Sequence, residues 1–275
     1  MTLSINTNIA ATRASKYLAA NHQNLQKSLD RLSSGKRITS ASDDAGGLAV
    51  SMKLEHSING LKGAANNVSN GISMLQVMDG VLSSAADIIS RIGELKSMHS
   101  DVTKNSTDQA TYESEVGNLI SQLSTMQSVT TFNGITLFDS AGDKEVFLDA
   151  SGTTKMTIDD TDFTGAAGAA QVAAMIAAGS DLDNAAFDSD KITTALGQIA
   201  TLRAKNGGQV KRLEYTMADL NTQTTNLTAA NGRIMDVDIA EESAALAKHQ
   251  ILVQASASMV AQANSANNVA LQLLQ

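Results

Sequence analysis

The sequence predicts a mainly α-helical fold: a long antiparallel helical bundle or coiled coil with a small β-hairpin region. Apolar residues recur every seven positions over long stretches, the 275-residue chain contains no proline, and aromatic residues make up only 3% of it. Proline in a helix interior costs about 3 kcal/mol, and large rings usually dominate the burial in compact cores. This composition therefore favours thin layers of long helices.

Charge and cysteine content exclude several functional classes. The chain has 28 acidic and 20 basic residues, a net charge of −8, and no cysteine. A nucleic-acid partner is not expected, because phosphate binding needs a clustered basic face. The absence of cysteine excludes disulfides, thiolate metal sites and thiol nucleophiles. No window approaches the roughly 18 apolar residues of a membrane span, so no membrane partner is expected either.

The first predicted helix precedes a turn-rich segment. Its apolar residues follow a spacing of seven, with one further leucine beside them: Leu18, Leu25, Leu32 and Leu29. Ser33–Lys36 and Thr39–Asp44 then interrupt the pattern. Ser40 or Ser42 is expected to cap the next helix, and Asp43 and Asp44 suit the positive end of its dipole.

The second predicted helix carries the clearest heptad repeat. Its main series is Leu54, Leu61, Val68, Leu75, Leu82 and Ile89, and its companion series is Ile58, Ala65, Ile72 and Ala86, with Asp79 as the polar exception. Such a repeat predicts one long helix with a coiled-coil-like face. Glycine is frequent in this helix, so we expect neighbouring helices to approach it closely.

Shorter elements are expected in the middle of the chain. Residues 109–130 predict a third helix, and Asn133–Gly134 predicts a tight turn, because this dipeptide readily adopts positive φ. Alternating apolar residues on either side of residues 150–153 predict a β-hairpin. Residues 165–179 are alanine-rich and predict a short helix, and residues 181–190 are acidic and loop-like.

Two further helices are predicted after residue 190. The first has the series Ile192, Ile199, Leu213, Leu220, Leu227 and Ile234, interrupted by Asn206. The second has Ile239, Leu246, Val253, Val260 and Leu274, with Leu271 one turn before Leu274. The phase of the repeat breaks between the two helices, as it does after Leu32. We therefore predict a terminal coiled-coil assembly domain, residues 1–43 plus 235–275, and a rod domain, residues 44–234, with the hairpin and a short variable segment at about 135–190.

Motifs at both ends resemble one family. They are Leu3–Asn8, the segments RLSSGKRI (31–38) and SDDAGGLAV (42–50), FNG (132–134), RIMDVDIAEE (233–242), QIL (250–252) and AQAN (261–264). These are similar to bacterial flagellins over residues 1–138 and 190–275, although Gly46 stands where the family usually has alanine. Ser265–Asn268 stands where the family often has proline, and the short middle indicates a flagellin without large outer domains.

The resemblance implies a structural subunit of the flagellar filament, secreted and extracellular. It implies export in an unfolded state and self-assembly into a helical tubular filament. Expected partners are other flagellin subunits, an export chaperone, the type III export apparatus, and cap and hook-junction proteins. Self-assembly is assigned to the apolar series of the two terminal helices: Leu18, Leu25, Leu29, Leu32, Ile239, Leu246, Val253, Val260, Leu271 and Leu274.

Some flagellins are bound by a Toll-like innate receptor, and the matching positions here are Arg91, Leu95 and Glu115. Ordinary rod-packing roles also explain these three residues, and Gly93 and Lys96 differ from the usual receptor-binding pattern. Catalysis is not expected, and no catalytic, cofactor or metal site is predicted, because the four histidines lie far apart in sequence without metal-ligand spacing. A hook–filament junction adaptor, which shares the end helices, is the alternative among helical-bundle proteins.

Overall fold

A computed structural model describes residues 8–138, 144–149, 151–158 and 169–272, with side chains described as far as residue 265. The helices are α1 (Ile9–Ser34), α2 (Ala45–His99), α3 (Ser106–Val129), α4 (Ala170–Ala178), α5 (Ser189–Met235) and α6 (Ile239–Gln272). The strands are β1 (Thr131–Phe132), β2 (Ile135–Thr136), β3 (Lys144–Phe147) and β4 (Lys155–Ile158). Residues group into a terminal unit, 1–57 with 225–275, and a central unit, 58–224. The mainly α-helical fold is confirmed.

The core of the central unit follows the main heptad of α2. The residues from Leu61 to Ile89 in that series are fully or almost fully buried: Leu61, Val68, Leu75, Leu82 and Ile89. In the predicted companion series Ile58 is buried, but from Ala65 onward the series was predicted one residue too late. The buried companions are Ala64, Met78, Ala85 and Ile92, with Gly71 completing the spacing. Ala65, Ile72 and Ala86 are only partly buried at the edge of this seam.

Helix α5 runs antiparallel to α2 within the central unit. A Cβ placed on Gly71 would lie 3.2 Å from Leu213 Cδ1, and one placed on Gly93 would lie 3.3 Å from Ile192 Cγ2. At these two positions the absence of a side chain allows the close approach that was predicted. Gly63 and Gly80 have no atom within 4 Å of such a Cβ, so close packing does not explain them.

The smaller elements belong to the central unit. Helix α3 begins with a capping box formed by Asn105 and Asp108 and buries Val116, Ile120 and Leu123. Its last residue, Val129, is 66% exposed. Phe132 pairs with Ile135 across the predicted Asn-Gly turn. The predicted hairpin forms from β3 and β4, with Val146 opposite Met156.

The expectation that no window approaches the composition of a membrane span was wrong: helix α2 includes an 18-residue window with a mean hydropathy of 1.3, which by length and composition alone would suit a membrane. A single such helix is weak support for a membrane span, because core helices of other proteins have the same composition. Within the structure, 33% of this window is buried.

Candidate self-assembly surface

Helices α1 and α6 of the terminal unit pack against each other in antiparallel orientation. Asn8 Nδ2 donates to Ala263 O at 2.9 Å, and Asn21 Nδ2 donates to Ser256 Oγ at 2.7 Å. At the other end of the pair, Arg31 Nη1 lies 3.6 Å from Glu242 Oε2. The residue numbers rise on one helix as they fall on the other, so the start of α1 lies beside the later part of α6.

Six of the predicted assembly residues line the seam between α1 and α6. All six are partly buried: Leu18, Leu25, Leu32, Leu246, Val253 and Val260. Among the side chains described as far as residue 265, those buried at the seam are small, namely Ala14, Ser28 and Ser256. Two helices alone bury at most one face of each other, so these leucines and valines keep part of their surface in water.

Two further predicted assembly residues, Leu29 and Ile239, do not share this position. Leu29 is 44% exposed and Ile239 is 68% exposed, so neither is covered by the opposite helix. The side chain of Leu271 and the whole of Leu274 lie outside the described residues.

A second set of apolar residues on α1 and α6 stays exposed to solvent, and the sequence analysis did not identify it. It comprises Ile9, Tyr17, Ile251, Leu252 and Met259, all at least 36% exposed. Tyr17 and Met259 face a shared groove of about 530 Å³, whose floor includes Ala10, Ala14 and Ala263. The heptad count selected only one face of each helix. Helix α6 also carries apolar residues outside its heptad positions. These additional residues were the sequence pattern from which a second apolar surface could have been predicted.

Residues 35–38 and 235–238, where the helices of the terminal unit are interrupted, lie side by side. Gly35 has a φ of 69° and ends α1 in the left-handed region, where glycine is favoured. Arg37 N donates to Met235 O at 2.6 Å, and Val237 N donates to Gly35 O at 3.1 Å. Arg37 Nη2 also donates to Ile234 O at 2.8 Å. Each of the two segments thus supplies hydrogen-bond partners to backbone groups of the other that have no partner within a helix.

Helix α2 is capped by Asp44, not by the predicted Ser40 or Ser42. Asp44 Oδ1 accepts a hydrogen bond from Gly47 N at 2.8 Å. Asp43 instead holds the preceding turn, and hydrogen bonds from the Thr39 hydroxyl and the Lys27 ammonium keep its pKa well below the ordinary value. The two adjacent carboxylates therefore have separate structural roles.

Gly47 is required by the close packing at the start of α2. A Cβ at this position would lie 2.5 Å from Asp44 Oδ2 and 2.8 Å from Ile38 Cδ1. The carboxylate is fixed by the cap, and Ile38 is 2% exposed, so neither atom can move freely. The preceding residue, Gly46, has only Asp44 Oδ1 nearby, at 3.6 Å.

The three candidate receptor-contact residues have different surroundings in the central unit. Arg91 and Glu115 form a surface ion pair at 2.9 Å between α2 and α3. Hydrogen bonds to Glu94 and Glu115 raise the pKa of Arg91. Leu95 is completely buried, so its side chain is part of the core and is not presented to a partner.

The four histidines have unlike surroundings. His22 and His56 are exposed, His249 is partly buried, and His99 is buried with its Nε2 3.3 Å from Glu113 Oε1. Among the described residues, no three His, Cys, Asp or Glu side chains are grouped so that they could hold a metal ion.

Comparison with known proteins gives matches at both ends and over nearly the full length. Residues 5–143 match the family model described as the bacterial flagellin N-terminal helical region, and residues 189–274 match the corresponding C-terminal helical region. A flagellin of Bacillus subtilis is 35% identical, with 98% of this chain and 99% of that protein covered. The flagellar filament 33 kDa core protein of Treponema phagedenis is 34% identical over the same shares. A flagellin of Halalkalibacterium halodurans is 36% identical, again over 98% and 99%.

Proposed function

This chain belongs to the bacterial flagellin family and is a structural subunit of the flagellar filament, and we propose that its terminal helices carry the contacts between subunits. The proposed assembly domain comprises residues 1–43 and 235–275, and the proposed rod domain comprises residues 44–234. The observation that carries this proposal is the set of large apolar side chains exposed on α1 and α6.

The apolar exposure is what a polymerising helix pair requires. Burial of one large apolar side chain stabilises an interface by about 1.5–3 kcal/mol. Seven such residues of α1 and α6 are at least 36% exposed: Ile9, Tyr17, Leu29, Ile239, Ile251, Leu252 and Met259. Neighbouring copies that cover them would offset the repulsion between subunits of charge −8. Contacts of this kind that repeat without closing generate a helical polymer.

The seam residues have a second role in this proposal. Leu18, Leu25, Leu32, Leu246, Val253 and Val260 hold α1 against α6, and their remaining exposed surface is completed by other subunits. In this proposal, assembly depends on these residues in two ways: they hold α1 and α6 together, and they contact neighbouring subunits directly.

Export and further partners follow from the family relationship. We propose that the subunit is secreted unfolded through the type III export apparatus, escorted by an export chaperone. Cap and hook-junction proteins would then meet the ends of the filament. A chain without cysteine or proline suits this route, because neither disulfide formation nor prolyl isomerisation can delay refolding after export.

Recognition by an innate receptor is a second candidate property. It would use Arg91 and Glu115, which lie together on the surface. Because Leu95 is buried, a contact there would require local rearrangement, and we propose only the charged pair as accessible.

The test is electron microscopy of the purified chain under polymerising conditions, beside a version that lacks residues 236–275. Long uniform filaments are expected from the full chain alone, because the shortened chain lacks α6. Filaments from the shortened chain would overturn the assignment of assembly to the terminal helices. A full chain that stays monomeric even with filament seeds would favour an adaptor role at the hook junction.

A further inference from the structure

Two polar residues that interrupt the heptads predicted from the sequence lie close together in the central unit. Asn206 is buried at a heptad position of α5, whereas Asp79 lies beside the buried Met78 at the edge of the α2 seam, with its side chain 43% exposed. Arg203 Nε donates to Asp79 Oδ1 at 2.9 Å, and Arg203 Nη2 donates to Asp79 Oδ2 at 3.1 Å. One turn away, Asn206 Nδ2 donates to the backbone oxygen of Leu75 at 2.8 Å.

We propose that Asp79, Arg203 and Asn206 form a register clamp, which fixes the alignment of α5 along α2. The inference is independent of filament formation and concerns how a single chain selects its fold. The clamp is needed because the apolar residues alone leave the alignment open.

The ambiguity follows from the two heptad series. Counting from the Asn206–Leu75 bond in steps of seven on antiparallel helices brings further residues level: Leu61 with Leu220, Val68 with Leu213, Leu82 with Ile199, and Ile89 with Ile192. A slip of one heptad, about 10 Å along the axis, would again set leucine and isoleucine opposite leucine, isoleucine and valine. Hydrophobic burial alone therefore discriminates weakly between the native and the slipped alignment.

The clamp discriminates because its contacts are directional. Arg203 approaches Asp79 through two parallel hydrogen bonds, which specify position as well as charge. A slip of one heptad in one direction would place Arg203 level with Ile72, which has no charge. A slip in the other direction would place it level with Ala86, beside Asp87, and would leave Asp79 opposite apolar surface.

Asn206 adds specificity at a cost in stability. It is 1% exposed, and its Oδ1 is buried without a hydrogen-bond partner in the structure. A leucine would suit the core better at this point of the heptad. A single buried asparagine is a known device for fixing the register of a coiled coil while lowering its stability. Its presence in the central unit fits selection of the alignment.

The test uses cysteine pairs, which are unambiguous reporters because the chain has no other cysteine. Gly93→Cys with Ile192→Cys reports the native alignment, since a Cβ at Gly93 would lie 3.3 Å from Ile192 Cγ2. Gly93→Cys with Ile199→Cys reports a slip in one direction, and Ala86→Cys with Ile192→Cys reports a slip in the other. Each pair is placed in the clamped chain and in a clamp-free chain carrying Asp79→Ala, Arg203→Ala and Asn206→Leu.

Mild oxidation of the monomer, followed by digestion and mass spectrometry, measures the disulfides formed. We expect only the native disulfide in the clamped chain, and at least a tenfold increase of a slipped disulfide in the clamp-free chain. A clamp-free chain that forms only the native disulfide would overturn the proposal.

A second pair of variants keeps the test decisive if the clamp-free chain does not fold. Asp79→Arg combined with Arg203→Asp reverses the ion pair and is expected to restore the native disulfide, whereas Asp79→Arg alone is not. Equal behaviour of the single and double variants would contradict a role for the pair. Asn206→Leu alone is expected to raise the thermal midpoint while it increases the slipped disulfide, a combination that a merely structural asparagine would not produce.

Discussion

The central and terminal units are built from the same heptad repeat but complete it differently. In the central unit Val68, Leu75, Leu82 and Ile89 have no exposed surface. In the terminal unit the equivalent positions, such as Leu18 and Leu246, are only partly buried. A heptad repeat therefore predicts that a helix has an interface, but it does not predict whether the partner helices at that interface come from the same chain or from another subunit. Partial burial along a full repeat indicates where another subunit is required.

The largest expected effect comes from placing a charge at equivalent positions of the two units. Leu82→Asp would bury a carboxylate in the central core and is expected to lower the free energy of unfolding by more than about 4 kcal/mol. Leu246→Asp and Val253→Asp leave the carboxylate in contact with water, so the monomer is expected to lose only about 1–2 kcal/mol and yet form no filaments. Urea unfolding followed by circular dichroism measures the first effect, and electron microscopy measures the second.

Normal filaments from Leu246→Asp would contradict the proposed role of the seam. If Leu82→Asp kept native stability, the central heptad would not be the core that its burial indicates.

The next effect concerns the apolar groove between Tyr17 and Met259. Tyr17→Ser and Met259→Ser are each expected to raise the critical concentration for polymerisation at least tenfold, because each removes about 1.5 kcal/mol or more of burial between subunits. The monomer should keep its thermal midpoint, since both side chains are more than half exposed. Sedimentation of polymer at graded concentrations provides the measurement.

Tyr215→Ser is the matched control, because Tyr215 is 76% exposed on the central unit. An equal rise in critical concentration for the control would show that exposure alone, and not position in the terminal pair, governs assembly.

Sequence reasoning found the helices because their signals are local. The heptads of α1, α2, α5 and α6, the Asn133–Gly134 turn and the β3–β4 hairpin all depend on residues close together in the chain. From Ala65 onward it assigned the companion series of α2 one residue too late: Ala64 and Ala65 are equally apolar, but Met78 beside Asp79 already favoured the earlier positions. Tyr17 and Met259 were missed because they lie 242 positions apart in sequence and share a groove only after α1 and α6 pack.

A smaller effect is expected at the adjacent glycines of the terminal unit, where the two substitutions should have opposite signs. Gly47→Ala forces its Cβ against Asp44 and Ile38 and is expected to destabilise the unit by about 1–3 kcal/mol. Gly46→Ala meets only an ordinary contact and is expected to stabilise it by up to about 1 kcal/mol, because alanine favours the helix. Hydrogen exchange of residues 35–50 measures both, and equal signs would contradict the close packing at Gly47.

The smallest expected effect is a loss of stability at acid pH, which is expected in both units. Hydrogen bonds from Thr39 and Lys27 lower the pKa of Asp43 in the terminal unit, and hydrogen bonds from Thr153 and Ser151 lower that of Asp149 in the β3–β4 loop. Because the folded pKa of each lies below the unfolded value of about 3.9, the stabilising contribution is complete above that pH and is lost as the pH falls below it.

The measurement compares urea midpoints of the native chain, Asp43→Asn and Asp149→Asn from pH 6 down to pH 2. Each variant should be less stable than the native chain at pH 6, and the difference should shrink as the pH falls, since protonation removes the same charge. Glu55→Gln, on the exposed face of α2, controls for loss of a carboxylate as such. A difference that stays constant from pH 6 to pH 2 would mean that the ionised carboxylates do not hold these two turns. The acid sensitivity of both units would then come from elsewhere.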